Sequence, residues 1–268
     1  MWSNLTDLVV SPIRRLSNAT KYANLILLCN VHHKQVDDQV NHFTVERLTS
    51  MKMEHELWVR TSLSGFDSAK QADDERWAGY IEEWASRADL DGWLDRTYPL
   101  LQATPGVSQD FFSRLAAIRE WLLSRVWPER YTDIREALVN FRIVVGDLVN
   151  VFGEYSKPEG DGSFLRTEKF YKIKEWNPEL YKVLSDRYGF HVDLVHDLTC
   201  EMTRAANYVC DMVRNNLDRS FRIQQGVLLV RQGMDMHMME HTLRLEYREQ
   251  ERIQHPYSGL QEFKQVRT

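Results

Sequence analysis

Apolar side chains recur every three or four residues through most of the chain, the spacing that places them on one face of an α-helix. Thr44 and Ser108 stand where a hydroxyl group can cap the first turn of such a helix. We therefore predict helices over 44–56, 73–88, 108–126, 132–152, 177–188, 190–217 and 234–252. Strands are fewer: 226–233 is predicted as a strand, and 24–29 as a short strand or the entry to a helix. The predicted fold class is mostly α.

The segment 61–75 is small and polar and lacks an apolar period, which is typical of a linker. It divides the chain into an N-terminal module over 1–60 and an α-helical domain over 76–268. Within that domain the glycine-rich stretch 157–162 is predicted as a loop. Five tryptophans of the domain are expected in its core or at an interface: Trp77, Trp84, Trp93, Trp121 and Trp127.

Composition places the chain among ordinary globular proteins, with 268 residues, 43% hydrophobic and 27% charged. A net charge of −5 excludes a protein that coats nucleic acid by bulk positive charge, but it allows a local site. The first 60 residues carry seven basic and six acidic side chains, whereas the remainder has an acidic excess. Contact with a phosphate backbone is therefore expected in the N-terminal module.

Membrane and secreted classes are not favoured by the sequence. The longest apolar run, Leu25–Cys29, is far shorter than the roughly 20 residues that cross a bilayer. Residues 1–10 lack the basic and apolar regions of a signal peptide. Three widely spaced cysteines form no disulfide framework, so we expect a cytoplasmic protein without a membrane partner.

The most informative stretch is N-L-I-L-L-C-N-V-H-H-K-Q-V-D-D over 24–38, followed by F-T-V-E-R-L over 43–48 and K-M-E-H-E over 52–56. In order and spacing, these strings resemble the second half of the HNH endonuclease domain. The resemblance covers about 33 residues and implies a ββα-metal module at the N-terminus, in which two short strands and a helix surround a divalent cation. Nucleic acid, most simply DNA, is the substrate that it implies.

The resemblance also assigns roles to individual residues. Asn24 occupies the position of the family's middle asparagine, which orients the catalytic histidine, and His33 that of the final histidine, a metal ligand. Cys29 and His32 could supply half of a structural zinc site. The implied cofactor is thus Mg²⁺, Mn²⁺ or Zn²⁺, and a homodimer is possible because family members that cut both strands often pair.

Charged residues beside the motif admit both functional and ordinary interpretations. Lys34 and Arg47 are candidate nucleic-acid contacts, through phosphates, or else solvated surface charges. Asp37 and Asp38 are expected to cap or turn the chain, with a metal role as the lesser alternative.

The chain departs from the family in one important respect. The family's first histidine, the general base that activates water, precedes the asparagine by roughly 25–40 residues, yet residues 1–23 contain no histidine. Either the domain has decayed or the sequence begins too late to include it. His42 and His55 are the nearest substitutes, although neither stands at the family position. Whether the protein is an active enzyme is therefore left open.

Three weaker patterns lie in the helical domain. His237, Glu240 and His241 fit the inverted zincin pattern H-x-x-E-H if they lie on a helix. Asp193, Asp197 and Glu201 recur every four residues and are expected to form a solvated face with local ion pairs. A basic aromatic group could contact nucleotides; its members are Arg166, Tyr171, Lys172 and Lys174.

Two functions follow from these observations. The first is a metal-dependent endonuclease, or a truncated or degenerate derivative of one, whose helical domain regulates or targets it by binding a protein or a small signal. The second is a non-catalytic interaction or scaffold protein whose helical domain binds a partner and in which the N-terminal module is a structural vestige. The sequence has no P-loop, G-x-G-x-x-G or G-x-S-x-G motif, so those nucleotide-binding and hydrolase classes are unsupported.

Overall fold

The computed structural model describes residues 2–4, 22, 25–64, 68–232, 239–253 and 256–265. These residues are mostly helical, as the sequence predicted, with three small antiparallel sheets. The chain separates into two compact units, Met1–Lys70 and Gln71–Thr268. Over the described ranges, no helix combines the length and the apolar character that a bilayer span requires.

The N-terminal unit begins with two short strands, β1 (Trp2–Asn4) and β2 (Leu25–Leu27), which pair antiparallel with Trp2 opposite Leu27. Helix α1 (Asn30–Asp38) follows β2 after two residues, and α2 (Val45–Ser64) follows α1. The predicted cap of α2 is confirmed, because the Arg47 amide donates to Thr44 Oγ1 over 3.3 Å. Of the described apolar side chains here, only Val36 and Leu48 are fully buried.

The segment 61–75 differs in conformation from the irregular linker that its composition suggested. Residues 61–64 continue α2, and α3 (Ser68–Ala88) already includes residues 68–75. Small polar side chains are compatible with an exposed helix even without an apolar stripe, so composition alone does not identify an irregular segment.

Helices dominate the C-terminal unit: α3 leads to α4 (Trp93–Thr97), a 3-10 turn over Tyr98–Leu101, α5 (Gln109–Leu123) and α6 (Thr132–Glu154). The predicted Ser108 cap of α5 is confirmed by a 3.2 Å hydrogen bond from the Phe111 amide. The tryptophans are core residues as predicted: Trp77, Trp84, Trp93 and Trp121 are buried, and Trp127 packs against them half-buried. The Trp93 indole also forms a hydrogen bond, in which Nε1 donates to Thr203 Oγ1 over 3.1 Å.

Helix α7 (Pro178–Asn216) is a single element of 39 residues where two helices were predicted on either side of Gly189. A glycine inside a helix costs about 1 kcal/mol relative to alanine, which is not enough to end one. Beyond Gly189 the buried stripe through Val195, Leu198 and Met202 packs against the other core helices, and that packing sustains the helix.

A three-stranded sheet with the order β3-β5-β4 lies beside the helices, formed by β3 (Gly106–Ser108), β4 (Ser156–Glu159) and β5 (Phe164–Thr167). The predicted loop over 157–162 is thus a hairpin whose turn begins at Gly160, with a φ of +61°. Gly106 is required by close packing, since a Cβ atom there would lie 2.4 Å from the Phe164 ring.

The predicted helix over 234–252 is wrong for residues 239–248 and right only for its last turn. Residues His241–Arg244 form strand β7, which pairs with β6 (Leu229–Gln232), and only Glu249–Ile253 is helical, as α8. The buried Asn207 side chain explains the difference, because its amide donates to the carbonyls of Leu228 and Leu245 while its oxygen accepts from the Leu228 amide. These tertiary hydrogen bonds hold the two strands together at the open end of the hairpin and outweigh the local helical pattern.

The inverted zincin interpretation fails for the same reason. His241 lies on β7, where residues four apart do not share a helix face, and His237 lies outside the described residues. Glu240 is also engaged elsewhere, since it accepts a 2.7 Å hydrogen bond from the Tyr98 hydroxyl. His241 therefore does not stand on the helix that the pattern requires.

The sequence predicted that the acidic stripe on α7 is a solvated face, but the structure buries part of it. Asp193 is exposed, but Glu201 is only 5% exposed and accepts a 2.6 Å hydrogen bond from the Tyr247 hydroxyl. Asn140 Nδ2 in turn donates to that hydroxyl, and Asn140 Oδ1 accepts from the Tyr257 amide. This buried network joins α6 and α7 to the C-terminal segment, which ends in α9 (Leu260–Gln265).

Candidate functional site

The candidate site lies where β2 gives way to α1. Cys29 has an extended backbone at the N-cap position of α1, and its carbonyl accepts from the His33 amide over 2.8 Å. The first turn of the helix then carries His32 and His33. Strand, cap and helix thus place three side chains that can bind metals within five residues of one another.

Cys29 and His32 face each other, with Cys29 Sγ 3.0 Å from His32 Nδ1. Hydrogen bonding from the backbone and side chain of His32 lowers the pKa of the exposed Cys29 thiol. A thiol at a helix N-terminus beside an imidazole favours the thiolate, which is the form that binds metals and attacks electrophiles. The pair predicted from sequence is therefore brought together by the fold.

His33 is oriented by a carboxylate on the next turn of the helix. Its Nδ1 lies 2.8 Å from Asp37 Oδ2. That contact leaves Nε2, on the far side of the ring, as the nitrogen available for a ligand. Metal-binding histidines commonly hold a carboxylate in this way, which fixes the ring and raises its basicity. Asp37, expected to cap or turn the chain, contacts His33 instead.

The donors fit a divalent metal in kind but are incomplete in number. Thiolate and imidazole suit Zn²⁺, and the imidazole of His33 also suits other divalent transition metals. A structural zinc site has four ligands, and Cys29 and His32 could supply only two of them. Within the ranges that the structure describes, no three His, Cys, Asp or Glu side chains form a group able to hold a metal ion. Asn24 lies outside those ranges.

The two predicted phosphate contacts are both exposed. Lys34 lies on α1, directly after His33. Arg47 lies on the first turn of α2, where its guanidinium is 3.4 Å from His42 Nδ1 and 5.6 Å from the centroid of the Phe43 ring. Both cations are accessible to a phosphate, and Arg47 also contacts the neighbouring rings of His42 and Phe43.

A cavity of about 620 Å³ lies behind the first turn of α1, between β2, α1 and α2. Apolar side chains make up most of its wall: Leu25, Ile26, Leu27, Leu28, Val36, Phe43, Leu48 and Met51. His32 reaches it from α1, while Lys52, His55 and Glu56 reach it from α2. This volume is within the range of small-molecule sites, so the unit has a concave surface next to its metal-binding side chains.

Polar side chains that line the cavity contact one another. Lys52 Nζ lies 3.9 Å from the centroid of the Tyr22 ring, donates to the Tyr22 carbonyl and lies 3.6 Å from Glu56. Hydrogen bonding to Glu56 raises the pKa of the Tyr22 hydroxyl. His55 stacks on Trp58 with centroids 5.6 Å apart. These contacts hold Tyr22 against α2.

Sequence reasoning did not predict two sets of contacts at the site, for different reasons. The Asp37–His33 contact could have been found from its i, i+4 spacing on a helix. Lys52 and Glu56 share that spacing with each other, but their contacts with Tyr22 join residues about 30 positions apart, and no local pattern indicates them.

No protein family, curated protein or solved structure matches the chain.

Proposed function

We propose that this chain is an HNH-family protein whose N-terminal module binds a divalent metal through His33 beside nucleic acid, either as an endonuclease or as a derivative of one. One observation carries the proposal: an antiparallel strand pair leads directly into α1, whose cap and first turn present Cys29, His32 and His33. Strand, strand and helix in that order, with a histidine on the helix, is the arrangement that the sequence resemblance implies.

The contacts of these side chains support distinct roles for them. Asp37 holds Nδ1 of His33, so that Nε2 is left for the catalytic cation. Cys29 and His32 contribute to a structural zinc site, for which the lowered thiol pKa is suited. Lys34 and Arg47 neutralise phosphates and position the strand without reading its sequence.

A bound divalent cation would lower the pKa of water and stabilise the negative charge that develops on phosphorus oxygens. The chain would still have to provide a base that takes a proton from that water. In the first 60 residues the other imidazoles are His42, beside Arg47, and His55, stacked on Trp58. A general base accelerates such a reaction by about 100- to 10,000-fold. A chain without one would therefore bind nucleic acid but cut it slowly.

The helical unit would regulate or target the module by binding a protein or a small signal. Its core is continuous through α3, α5, α6 and α7, so it provides a rigid support of its own. The three cysteines are free, which fits a reducing compartment such as the cytoplasm.

Nicking of supercoiled plasmid by the full chain, with Mg²⁺, Mn²⁺ or Zn²⁺, tests the proposal. We expect metal-dependent nicking that is lost in His33→Ala and retained in the matched control His241→Ala, which removes an exposed histidine from β7. If folded wild-type protein neither nicks nor binds DNA with any of the three metals, the proposal is wrong. DNA binding without nicking would identify the non-cutting derivative.

A second candidate is a non-catalytic interaction protein that binds a partner through the N-terminal module itself rather than through the helical unit. The observation that favours it is the apolar surface of α2, where Met53, Leu57 and Trp58 are each more than 60% exposed. Exposed apolar side chains that lie together commonly mark protein contacts. Under this alternative, His33→Ala would leave binding of the partner protein unchanged, whereas Trp58→Ala would abolish that binding.

A further inference from the structure

A groove of about 320 Å³ lies in the helical unit, between the first half of α3 and the end of α7. Its floor is apolar, with Ala78 and Ile81 on the α3 side and Val213, Leu217 and Phe221 on the α7 side. Ile81 and Val213 are buried, whereas Leu217 and Phe221 are half-buried and Ala78 is exposed. We name this site the α3–α7 groove.

The rim of the groove is acidic. Four carboxylates and no lysine, arginine or histidine occur among the described residues that line it. Three of these carboxylates, those of Glu75, Glu82 and Asp218, are exposed. The Gln71 amide donates to Glu75 over 2.8 Å, and Ser220 donates to Asp218 through its amide and its hydroxyl. These donors are neutral, so they orient the carboxylates without cancelling their charge, and the bonds from Ser220 lower the pKa of Asp218.

The surroundings of the groove preserve this negative potential. Two arginines near the end of α7 are paired with carboxylates outside the groove, Arg214 with Asp211 at 2.5 Å and Arg222 with Asp91 at 2.7 Å. The end of α7 itself contributes, because the last carbonyls of a helix lack intrahelical partners and carry partial negative charge. The groove therefore combines an apolar floor with a field that attracts cations.

The shape of the groove favours a helix as its occupant. Glu75 and Glu82 are seven residues apart on α3, a rise of about 10 Å, and Ala78 lies between them. Two turns of a partner helix cover the same length and can set apolar side chains on the floor between two flanking cations. Small-molecule sites enclose most of their ligand, whereas this groove is open to solvent and its volume is at the lower end of their range.

We propose that the α3–α7 groove binds a basic amphipathic helix of a partner protein. The apolar face of that helix packs on Ala78, Leu217 and Phe221, and its lysines or arginines lie beside Glu75 and Glu82. Opposite charge speeds the approach of the partner, and apolar contact retains it. The inference rests on the proposed function only in that a protein binds the helical unit. It involves neither metal nor nucleic acid, so its failure would leave the nicking test unaffected.

Fluorescence anisotropy of a labelled synthetic peptide, titrated with the full chain, tests the groove. The probe consists of leucine and lysine, with leucine at every third or fourth position so that it forms an amphipathic helix. We expect saturable binding to the wild type. The triple variant Glu75→Gln, Glu82→Gln, Asp218→Asn should bind at least about tenfold more weakly, because it removes the exposed charges of the rim.

Matched controls separate the groove from the overall charge of the chain. The variant Glu175→Gln, Glu179→Gln, Asp186→Asn removes three exposed charges near the start of α7 and should keep the wild-type affinity. Ala78→Lys places a cation in the groove and should abolish binding, whereas Ala72→Lys adds the same charge on another face of α3 and should not. Circular dichroism shows whether each variant is folded.

Two further probes test the kind of occupant. A scrambled peptide of the same composition carries the same charge without an apolar face, and spermine carries charge without a helix. We expect neither to match the affinity of the amphipathic peptide. Equal binding of the scrambled peptide, or equal competition by spermine, overturns the helical partner. A wild type that does not bind the amphipathic peptide overturns the proposal, as does an equal loss of affinity in the groove variant and its charge control.

Discussion

Replacing Tyr247 with phenylalanine removes one oxygen atom from the buried network of the helical unit. That oxygen donates to Glu201 Oε1 over 2.6 Å and accepts from Asn140 Nδ2 over 3.2 Å. Phenylalanine keeps the ring, and with it the edge-on contact with Tyr208 at 5.7 Å between centroids. The change therefore isolates the hydrogen bonds from the packing.

Both partners of the lost hydroxyl are buried, and the fold leaves them little access to water. A hydrogen bond to a charged group contributes about 1.5–3 kcal/mol, and a neutral one about 0.5–1.5 kcal/mol. Arg204, 3.7 Å from Glu201 and partly exposed, offsets a small part of the loss. We expect Tyr247→Phe to lower the free energy of unfolding by about 2–4 kcal/mol.

Urea denaturation measures this loss as a shift of the midpoint at constant slope. The matched control is Tyr98→Phe, because Tyr98 makes the same type of contact with Glu240 at an exposed position. Water replaces an exposed partner, so the control should change stability far less than Tyr247→Phe does. If the two variants lose the same stability, or if Tyr247→Phe stays within about 0.5 kcal/mol of wild type, burial is not the source of the network's strength.

Three further predictions concern single side chains. Cys29 should react with iodoacetamide well before Cys200, because His32 lowers the pKa of the exposed Cys29 thiol while burial raises the pKa of Cys200 to about 11. Mass spectrometry of the alkylated peptides measures the order, and faster alkylation of Cys200 would contradict the prediction. Burial raises the pKa of Glu201 above its ordinary value of 4.5, so its contribution to stability is full below that value and is lost as pH rises through the raised pKa. Glu201→Gln should therefore gain stability relative to wild type between pH 4 and pH 7 in urea titrations, and a constant difference would refute the assignment. Asp37→Asn should weaken Mn²⁺ binding about 10- to 100-fold by calorimetry, since it removes the carboxylate that orients His33, and an unchanged affinity would remove Asp37 from the site.

The helices could be predicted because their signals are local. Ser108 caps α5 and its buried stripe repeats at helical spacing, so both sequence and structure place this helix within a few residues. The tryptophans of the core could be predicted from their size and apolarity alone. Such features depend on neighbours within four residues, which a sequence displays directly.

The misjudged elements depend on distant partners. The hairpin of β6 and β7 is held by Asn207, which lies on α7 more than 20 residues before either strand. Glu201 is buried by Tyr247, 46 residues away. Neither contact leaves a periodic signal, so a helical pattern and a solvated stripe were the local expectations.

The candidate site, too, could be predicted only where its contacts are local. Cys29 and His32 are three residues apart around the start of a helix; the sequence suggested them as two ligands of a zinc site, and the structure shows that their side chains are in contact. Part of the cavity wall is formed by Tyr22 together with Lys52 and Glu56 of α2. No sequence pattern brings these residues together, so only the structure reveals this wall. The roles that rest on the HNH resemblance stay predictions.

The most direct test of the central claim is calorimetric titration of the full chain with Mn²⁺, beside His33→Ala and the control His241→Ala. The proposed site predicts one saturable ion per chain that His33→Ala loses and His241→Ala retains. Equal binding by all three proteins, or binding by none, would contradict a metal centre at the start of α1.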